Sequence, residues 1–320
     1  NTGYLVKGDL DGNYTNSIVI GGSTFDEGSS VSDIAIDNSG NLFITGGFVV
    51  DLVLGTVNIS NATNGSYVYI AKCDNSFNFS WATGSTKIVS PYKVAMWNYR
   101  VFVDNSNNVY QYGVNPYSFS YGSVSYSSTG ANQFLFKFDS NGSPTNGYAL
   151  NNSNLDKTII TPSGKVVLGS TYNQENTSNY SNFYLAQLNN DITANWEKVS
   201  TNSLTGTAKI NNIRHDAAGN SYLTTRILGY CNFFGTLINT QKSLTIFSKH
   251  DIDGNLIWMN QVEDINSTGT GATFTLDKDN NIITVGLFKT SLVVGSKTLT
   301  TSNSSYEGYV AKFNSSGDFL

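Results

Sequence analysis

Short runs in which apolar and polar residues alternate follow one another along most of the chain, each stopped by a cluster of Asp, Asn, Ser and Gly. The apolar members are mainly Ile, Val, Phe, Tyr and Leu. Period two with this composition predicts half-buried β-strands. The stops have a shape of their own. In VSDIAIDNSGNLFITGGF the turn runs from Asp37 to Asn41, and a second alternating run starts at once. Asp caps such a loop through the local backbone, and Gly or Asn supplies the positive φ at the bend. Two runs joined this tightly are antiparallel neighbours.

The same unit recurs. VFVDNSNNVYQYGV turns at Asp104 to Asn108, TIITPSGKVVLGST at Thr161 to Lys165, IRHDAAGNSYLTT at Asp216 to Asn220, and FTLDKDNNIITVGLF at Asp277 to Asn281. The turns follow one another at intervals of 67, 57, 55 and 61 residues. A second anchor lies downstream of each: YIAKCDNSFNFSWA, FLFKFDSNGSPTNGYA, YLAQLNNDITANWEKV, IFSKHDIDGNLIWMNQV and YVAKFNSSGDFL. It aligns Lys72, Lys137, Gln187, Lys249 and Lys312 at the end of a third strand, and Trp81, Trp196 and Trp258 on a fourth. Large aromatics at one repeated position predict a packing layer between units.

Four antiparallel strands per repeat leave two apolar faces that only neighbouring repeats can cover, which predicts an all-β fold, a β-propeller of four-stranded antiparallel blades. The repeats fall at about 31–85, 92–150, 155–200, 207–263 and 270–320, preceded by an N-terminal half blade at 1–22 that carries Lys7 at the anchor position. Six blades are favoured, with five or seven as alternatives, in a single domain over 1–320. Because both ends cut a blade in the middle, the chain reads as part of a longer polypeptide or as a subunit completed by copies of itself. The segment 1–22 is expected to pair with β-structure. Between the second and third strands, Gly55, Gly122, Gly235 and Gly295 align within an insertion that predicts an added short hairpin. The third repeat has only YNQENTSNYSN there.

The repeat resembles the SBBP-type β-propeller repeats of bacterial secreted and cell-surface proteins. The phrases that carry the resemblance are IAIDNSGNLFITGGF, LGTVNI, YIAKCD, HDIDGNLIWMNQV and YVAKFNSSGDF. The resemblance implies an extracellular or cell-surface location and a modular role, and it implies no catalytic residue set.

Composition narrows the function. Charged residues are only 13% of the 320, against about 25% in ordinary globular domains. The net charge of −5 supplies no cationic surplus for nucleic acid. No apolar run reaches the ~18 residues of a membrane-spanning helix. Cys73 and Cys231 fit no metal spacing and read as small buried hydrophobes, with a single bridge as the other reading. Asp9 to Asn13 and Asp251 to Asn255 superficially resemble calcium loops. They lack the glutamate that completes one, so they read as hairpin turns, with Ca2+ the lesser alternative and no other cofactor expected. His215 and His250 fall in one repeat, and His250 replaces Cys73 and Phe138 at an apolar position. The five Glu (Glu27, Glu175, Glu197, Glu263 and Glu307) fall in loops or outer strands, and Asp33 has no acidic counterpart on the other first strands. No pair of carboxylates suited to glycoside hydrolysis stands out. Asn-x-Ser/Thr sequons abound, as chance dictates in so Asn-rich a chain.

The candidate contacts with a ligand or partner are aromatic. Tyr117, Tyr121, Tyr126, Tyr172 and Tyr180 fall in the insertions, where exposed rings stack on sugars or anchor an interface. The sequence thus predicts a non-enzymatic secreted or cell-surface propeller acting as a structural, adhesion or assembly module. Its partner would be another protein or copies of itself bound through incomplete edge strands. A carbohydrate-binding or carbohydrate-active extracellular propeller is the alternative.

Overall fold

The computed structural model describes residues 3–22, 28–61, 63–88, 99–127, 131–151, 153–161, 164–173, 181–199, 207–264, 273–302 and 305–320. Among them there is no helix. The alternating runs form antiparallel strands in the blade topology of a β-propeller. Strands β1 (Gly3–Gly8) and β2 (Tyr14–Ile20) make the N-terminal half blade. Blade 1 contains β3 (Asp33–Ile36), β4 (Leu42–Val49), β5 (Asp51–Leu54), β6 (Val57–Ser60), β7 (Ser66–Cys73) and β8 (Phe79–Gly84). Its sheet order is β3-β4-β7-β8, and β5-β6 form the added hairpin. Blade 2 repeats this with β9 (Arg100–Val103), β10 (Val109–Val114), β11 (Phe119–Tyr121), β12 (Val124–Tyr126), β13 (Ala131–Phe138) and β14 (Pro144–Asn151).

Blade 3 comprises β15 (Ser153–Ile160), β16 (Val166–Asn173), β17 (Ser181–Leu188) and β18 (Ala194–Val199). Blade 4 comprises β19 (Thr207–His215), β20 (Ser221–Phe233), β21 (Thr236–His250) and β22 (Leu256–Asp264). Here the added hairpin is continuous with the blade, because β20 and β21 pair from Ser221 to Phe233. Blade 5 comprises β23 (Thr273–Leu276), β24 (Ile282–Lys289), the hairpin β25 (Ser291–Val294) and β26 (Lys297–Thr300), and β27 (Tyr306–Phe313). Its sheet order is β23-β24-β27, and a bridge pairs Phe313 with Phe319 beyond the turn that follows β27. Two compact units result: Asn1–Asn151 holds the half blade and blades 1 and 2, and Asn152–Leu320 holds blades 3 to 5.

The turn chemistry is uniform. Asp37 Oδ1 accepts from the backbone N–H of Ser39 and Asn41 at 2.9 and 2.8 Å, and Oδ2 accepts from the Asn41 side chain at 2.8 Å. The same three bonds recur at Asp9, Asp74, Asp104, Asp216, Asp251 and Asp277. One five-residue device therefore closes both the first and the second hairpin of a blade. Its fourth residue is left-handed, with φ +80 at Gly40 and +77 at Gly254. Phe77 and Ile192 also stand there, at φ +67 and +58.

Within each of the two units, neighbouring blades pack sheet face on sheet face. Leu5 and Ile20 of the half blade are buried with Ile44, Phe48 and Tyr69 of blade 1, so the N-terminal segment is part of the packed β-structure. Phe43, Val68 and Ile70 on the other face of blade 1 pack on Val101, Phe134 and Phe136 of blade 2. Leu185 meets Ile213 and Ile246 between blades 3 and 4, and Tyr222 and Phe247 meet Phe274 and Tyr309 between blades 4 and 5. Cys73 and Cys231 are buried in different clusters as free thiols. Burial and the Asp74 charge push the Cys73 thiol up to about 12, so it stays protonated and packs as a small hydrophobe.

Candidate functional site

The added hairpins link successive blades. Val53 N–H of β5 donates to Gly21 O at the end of β2. Thr86, just past β8, donates to Ser120 O of β11, and Ser120 N–H returns a bond to Thr86 Oγ1 at 2.9 Å. Glu263 and Asp264 of β22 pair with Val293 and Leu292 of β25. Val53, Ser120 and Val293 each lie two residues before their turn glycines, Gly55, Gly122 and Gly295. The insertion thus extends the fourth strand of the preceding blade. Gly235 does not share this register: it is the second turn residue after Phe234, whereas Gly55, Gly122 and Gly295 are the first.

For Tyr121 and Tyr126 this corrects the reading as exposed loop residues. Tyr121 is fully buried, and its hydroxyl donates to Gln111 Oε1 at 2.8 Å. Gln111 in turn donates to Thr45 Oγ1 and Tyr69 O, which ties blade 2 to blade 1. Tyr126 is also buried, with its hydroxyl on Asn115 O at 2.7 Å. Tyr117 is half-buried against the same core. Tyr172 belongs to β16, and Tyr180 lies outside the described residues. Period two in YSFSYGSVSY points Phe119 and Tyr121 to one face, and that face meets the core.

The aligned lysines have a partner that the repeat alignment alone leaves out. Lys249 Nζ is 3.5 Å from Asp216 Oδ2 and lies over the Tyr222 ring at 4.9 Å, while the Tyr222 hydroxyl donates to the same carboxylate oxygen. Lys137 lies over the Tyr110 ring, whose hydroxyl reaches Asp104. Lys312 is 3.0 Å from Asp277, and Lys72 lies over Phe43. In blade 3 the turn residue is Thr161 and the strand residue is Gln187, so acid and cation are absent together. Hydrogen bonds from Asn281 and Lys312 hold the Asp277 carboxyl well below its usual range. Partial burial pushes Asp216 up, but its Asn220 bonds and Lys249 outweigh it, and the net shift is downward.

The tryptophans form a latch between blades. Trp81 Nε1 donates to Ser140 O at 3.1 Å, Trp196 to Ile252 O at 3.0 Å and Trp258 to Ser315 O at 3.1 Å. In each case the indole covers the glycine of the next blade's outer turn: Gly142, Gly254 or Gly317. The equivalent position in the half blade is Asn16. It donates to Ser76 O, and the next turn carries Phe77 in place of glycine. A large strand residue faces a glycine, and a small one faces a bulky turn residue. The indoles are half-buried, less than a fully enclosed packing layer would make them.

No catalytic constellation assembles among the described residues. Asp33 Oδ2 accepts from Val101 N–H at 3.1 Å, and Oδ1 is 3.8 Å from Arg100. Asn212, the equivalent residue of blade 4, donates to Thr273 Oγ1 and Phe274 O. Both therefore clamp one first strand to the next. Ser221 Oγ lies 3.2 Å from His215 Nδ1, but Ser221 is buried and the Asp216 carboxylate is taken up by Ala218, Asn220 and Tyr222. His250 is fully buried, with Ser248 on Nε2 at 3.0 Å and the Phe234 ring 4.2 Å away. Burial lowers both histidines to about 4, so both are neutral at pH 7. Glu197 accepts from the Tyr184 hydroxyl, while Glu27 and Glu175 lie outside the described residues. The carboxylates of Asp9 and Asp251, the candidate calcium loops, accept from their own turn amides. No group of three metal-ligating side chains forms among the described residues.

Among the described residues, apolar side chains are exposed on two sheet faces, each within its own unit. One is the outer face of the half blade, with Tyr4, Val6, Tyr14 and Val19. The other is the far face of blade 5, with Val285, Leu287 and Val310 around Gly308.

No family model matches the chain, that of the SBBP-type repeats included, and no curated protein matches it. Among solved structures, the Dos1 propeller is similar at 11% identity over 92% of this chain and 72% of that one, with a TM-score of 0.43. An α-L-arabinofuranosidase from Lactobacillus brevis is similar at 10% identity over 90% and 93%, TM-score 0.36. A B. megaterium levansucrase is similar at 9% identity over 98% and 87%, TM-score 0.32.

Proposed function

We propose that this chain is a non-enzymatic β-propeller module of the SBBP-repeat type, working outside the cell or on its surface in structure, adhesion or assembly. One observation carries the reading: the polar groups that could do chemistry are committed to holding blades together. Asp33 and Asn212 clamp first strands, the Asp–Lys pairs brace turns, and Tyr121 and Gln111 join two blades. The turn carboxyls whose acidity is displaced are displaced downward, as at Asp37, Asp216 and Asp277, whereas a general acid needs the opposite shift. The repeat phrases and the low charge support the location.

The test is an activity and binding screen of the purified protein against a panel of plant and bacterial oligosaccharides. Neither turnover nor saturable binding is expected. Hydrolysis that disappears in Asp33→Asn, with folding intact, would overturn the reading in favour of a carbohydrate-active propeller.

A further inference from the structure

Asparagine followed by glycine is chemically labile. The glycine nitrogen attacks the side-chain amide carbon, and a residue without a Cβ lets the chain turn to bring the two together. The sequence holds three such steps, Asn64-Gly65, Asn141-Gly142 and Asn146-Gly147. Asn64 and Asn141 are both followed by Gly-Ser, so sequence alone gives them the same reactivity. The fold separates them. Asn141-Gly142 belongs to a five-residue turn. Gly142 N–H donates to Asp139 O at 3.0 Å, Asn141 N–H donates to Asp139 Oδ1 at 2.9 Å, and the Trp81 indole covers the glycine. The attacking nitrogen is therefore occupied. The Asp-Gly steps of the same turn, Asp11-Gly12 and Asp253-Gly254, are held alike, with the glycine N–H on Asp9 O at 3.1 Å and on Asp251 O at 3.0 Å. The device that closes the hairpins thus also ties down the nitrogen that would attack.

Asn146 and Gly147 lie inside β14, opposite Lys137 and Phe136. A strand keeps ψ near about +135°, which turns the next nitrogen away from the side chain, and the ladder resists the rotation that ring closure needs. Asn64-Gly65 has neither protection. It lies between β6 and β7, outside strand and five-residue turn alike. Asn64 is exposed, and no acceptor among the described residues takes the Gly65 N–H. The three atoms nearest to where a side chain on Gly65 would begin all belong to the stem of Lys87, an exposed and flexible residue.

We propose that Asn64 is a site of spontaneous covalent modification, deamidation to aspartate and isoaspartate, and that Asn141 and Asn146 are spared. Gly65 N bonds to Asn64 Cγ, and the Cγ–Nδ2 bond breaks. The side-chain nitrogen leaves as ammonia, taking the proton lost from Gly65 N. The succinimide that results takes up one water, which opens it at either carbonyl. One water enters and one ammonia leaves, with no change of oxidation state. The product carries a new carboxylate next to Thr63, whose carbonyl accepts from the Tyr67 hydroxyl. In the isoaspartyl form a methylene is also inserted into the main chain just before β7. This goes beyond the functional reading above and does not rest on it.

The experiment is incubation of the folded chain in mildly alkaline buffer for several weeks, followed by peptide mass spectrometry. The peptide carrying Asn64 should gain about 1 Da and become a methyl acceptor for protein isoaspartyl methyltransferase. It should do so at least about tenfold faster than the peptides of Asn141 and Asn146, whose reaction waits on local opening. In guanidinium chloride, where the turn is gone, Asn64 and Asn141 should convert at equal rates. Gly65→Ala should slow the reaction at Asn64 while keeping the parent's circular dichroism, because Gly65 is not in the left-handed region and only the Lys87 stem must yield. An Asn64 that converts no faster than Asn141 in the folded chain overturns the proposal. A difference between the two that persists in guanidinium chloride also overturns it, because the fold would then not be what selects the site.

Discussion

Replacing Gly254 by Ala tests the indole latch quantitatively. Gly254 sits at φ +77, and a Cβ placed there would lie 2.7 to 2.9 Å from three ring carbons of Trp196. Two costs add. A side chain in the left-handed region costs about 1 kcal/mol. Forcing the indole aside, while its N–H holds Ile252 O, adds about 1 to 3 kcal/mol of overpacking. The expected total is roughly 2 to 4 kcal/mol. Gly12 is the control: it occupies the same turn position at φ +83, and nothing lies within 4 Å of its absent Cβ. Gly12→Ala should therefore show only the first cost, about 1 kcal/mol. In a Trp196→Ala background, Gly254→Ala should fall to that same value, a coupling of about 1 to 3 kcal/mol. Trp196→Ala alone should cost about 2 kcal/mol, below the 3 to 5 typical of a fully buried ring, because the indole is half-buried. Urea denaturation followed by far-ultraviolet circular dichroism measures all four, since fluorescence would lose a reporter. Equal costs at Gly12 and Gly254, or no coupling between Gly254 and Trp196, would refute the latch.

Two further outcomes are expected. Lys249→Gln leaves the 5%-exposed Asp216 without its cation and should cost about 2 to 3 kcal/mol, whereas Thr161→Asp with Gln187→Lys in blade 3 should show favourable coupling in a double-mutant cycle; additive effects would argue against the pairing. Burial lowers His215 and His250 from 6.5 to about 4, so the unfolded chain binds more protons between those values; stability is fully present above pH 6.5 and falls by up to about 3 kcal/mol per histidine as the pH drops towards 4, and His250→Leu, matching Leu188 at the equivalent position, should flatten the slope of urea midpoints over that window.

What the sequence made legible was local. The turns from Asp37 to Asn41 and their copies have their partners within five residues, so pattern and chemistry coincide there. Strand order within a blade followed, because each hairpin is closed by such a turn. Contacts between blades were less legible, since they join residues about sixty positions apart whose pairing depends on which sheet face each occupies. Trp81 and Gly142 are each conspicuous in the sequence, yet only the geometry makes them partners. The same holds for Lys249 and Asp216, although Thr161 and Gln187 departing together in blade 3 was a usable sign. Tyr121 and Tyr126 were misplaced because an insertion was equated with an exposed loop. The alternation of Ser with Phe119 and Tyr121 already described a strand with one face inward.

The added hairpins bear on how the chain would come apart under load. In an array whose repeats touch only through side chains, the terminal repeat can peel away at the cost of one interface. Here Val53 hydrogen-bonds to Gly21, Ser120 to Thr86 and Val293 to Glu263, so main-chain bonds cross those boundaries. Pulling one blade from its neighbour must then break backbone pairing as well as packing. The rupture force of a repeat thus depends on the hairpin of the repeat that follows it, and shortening that hairpin would weaken the blade before it.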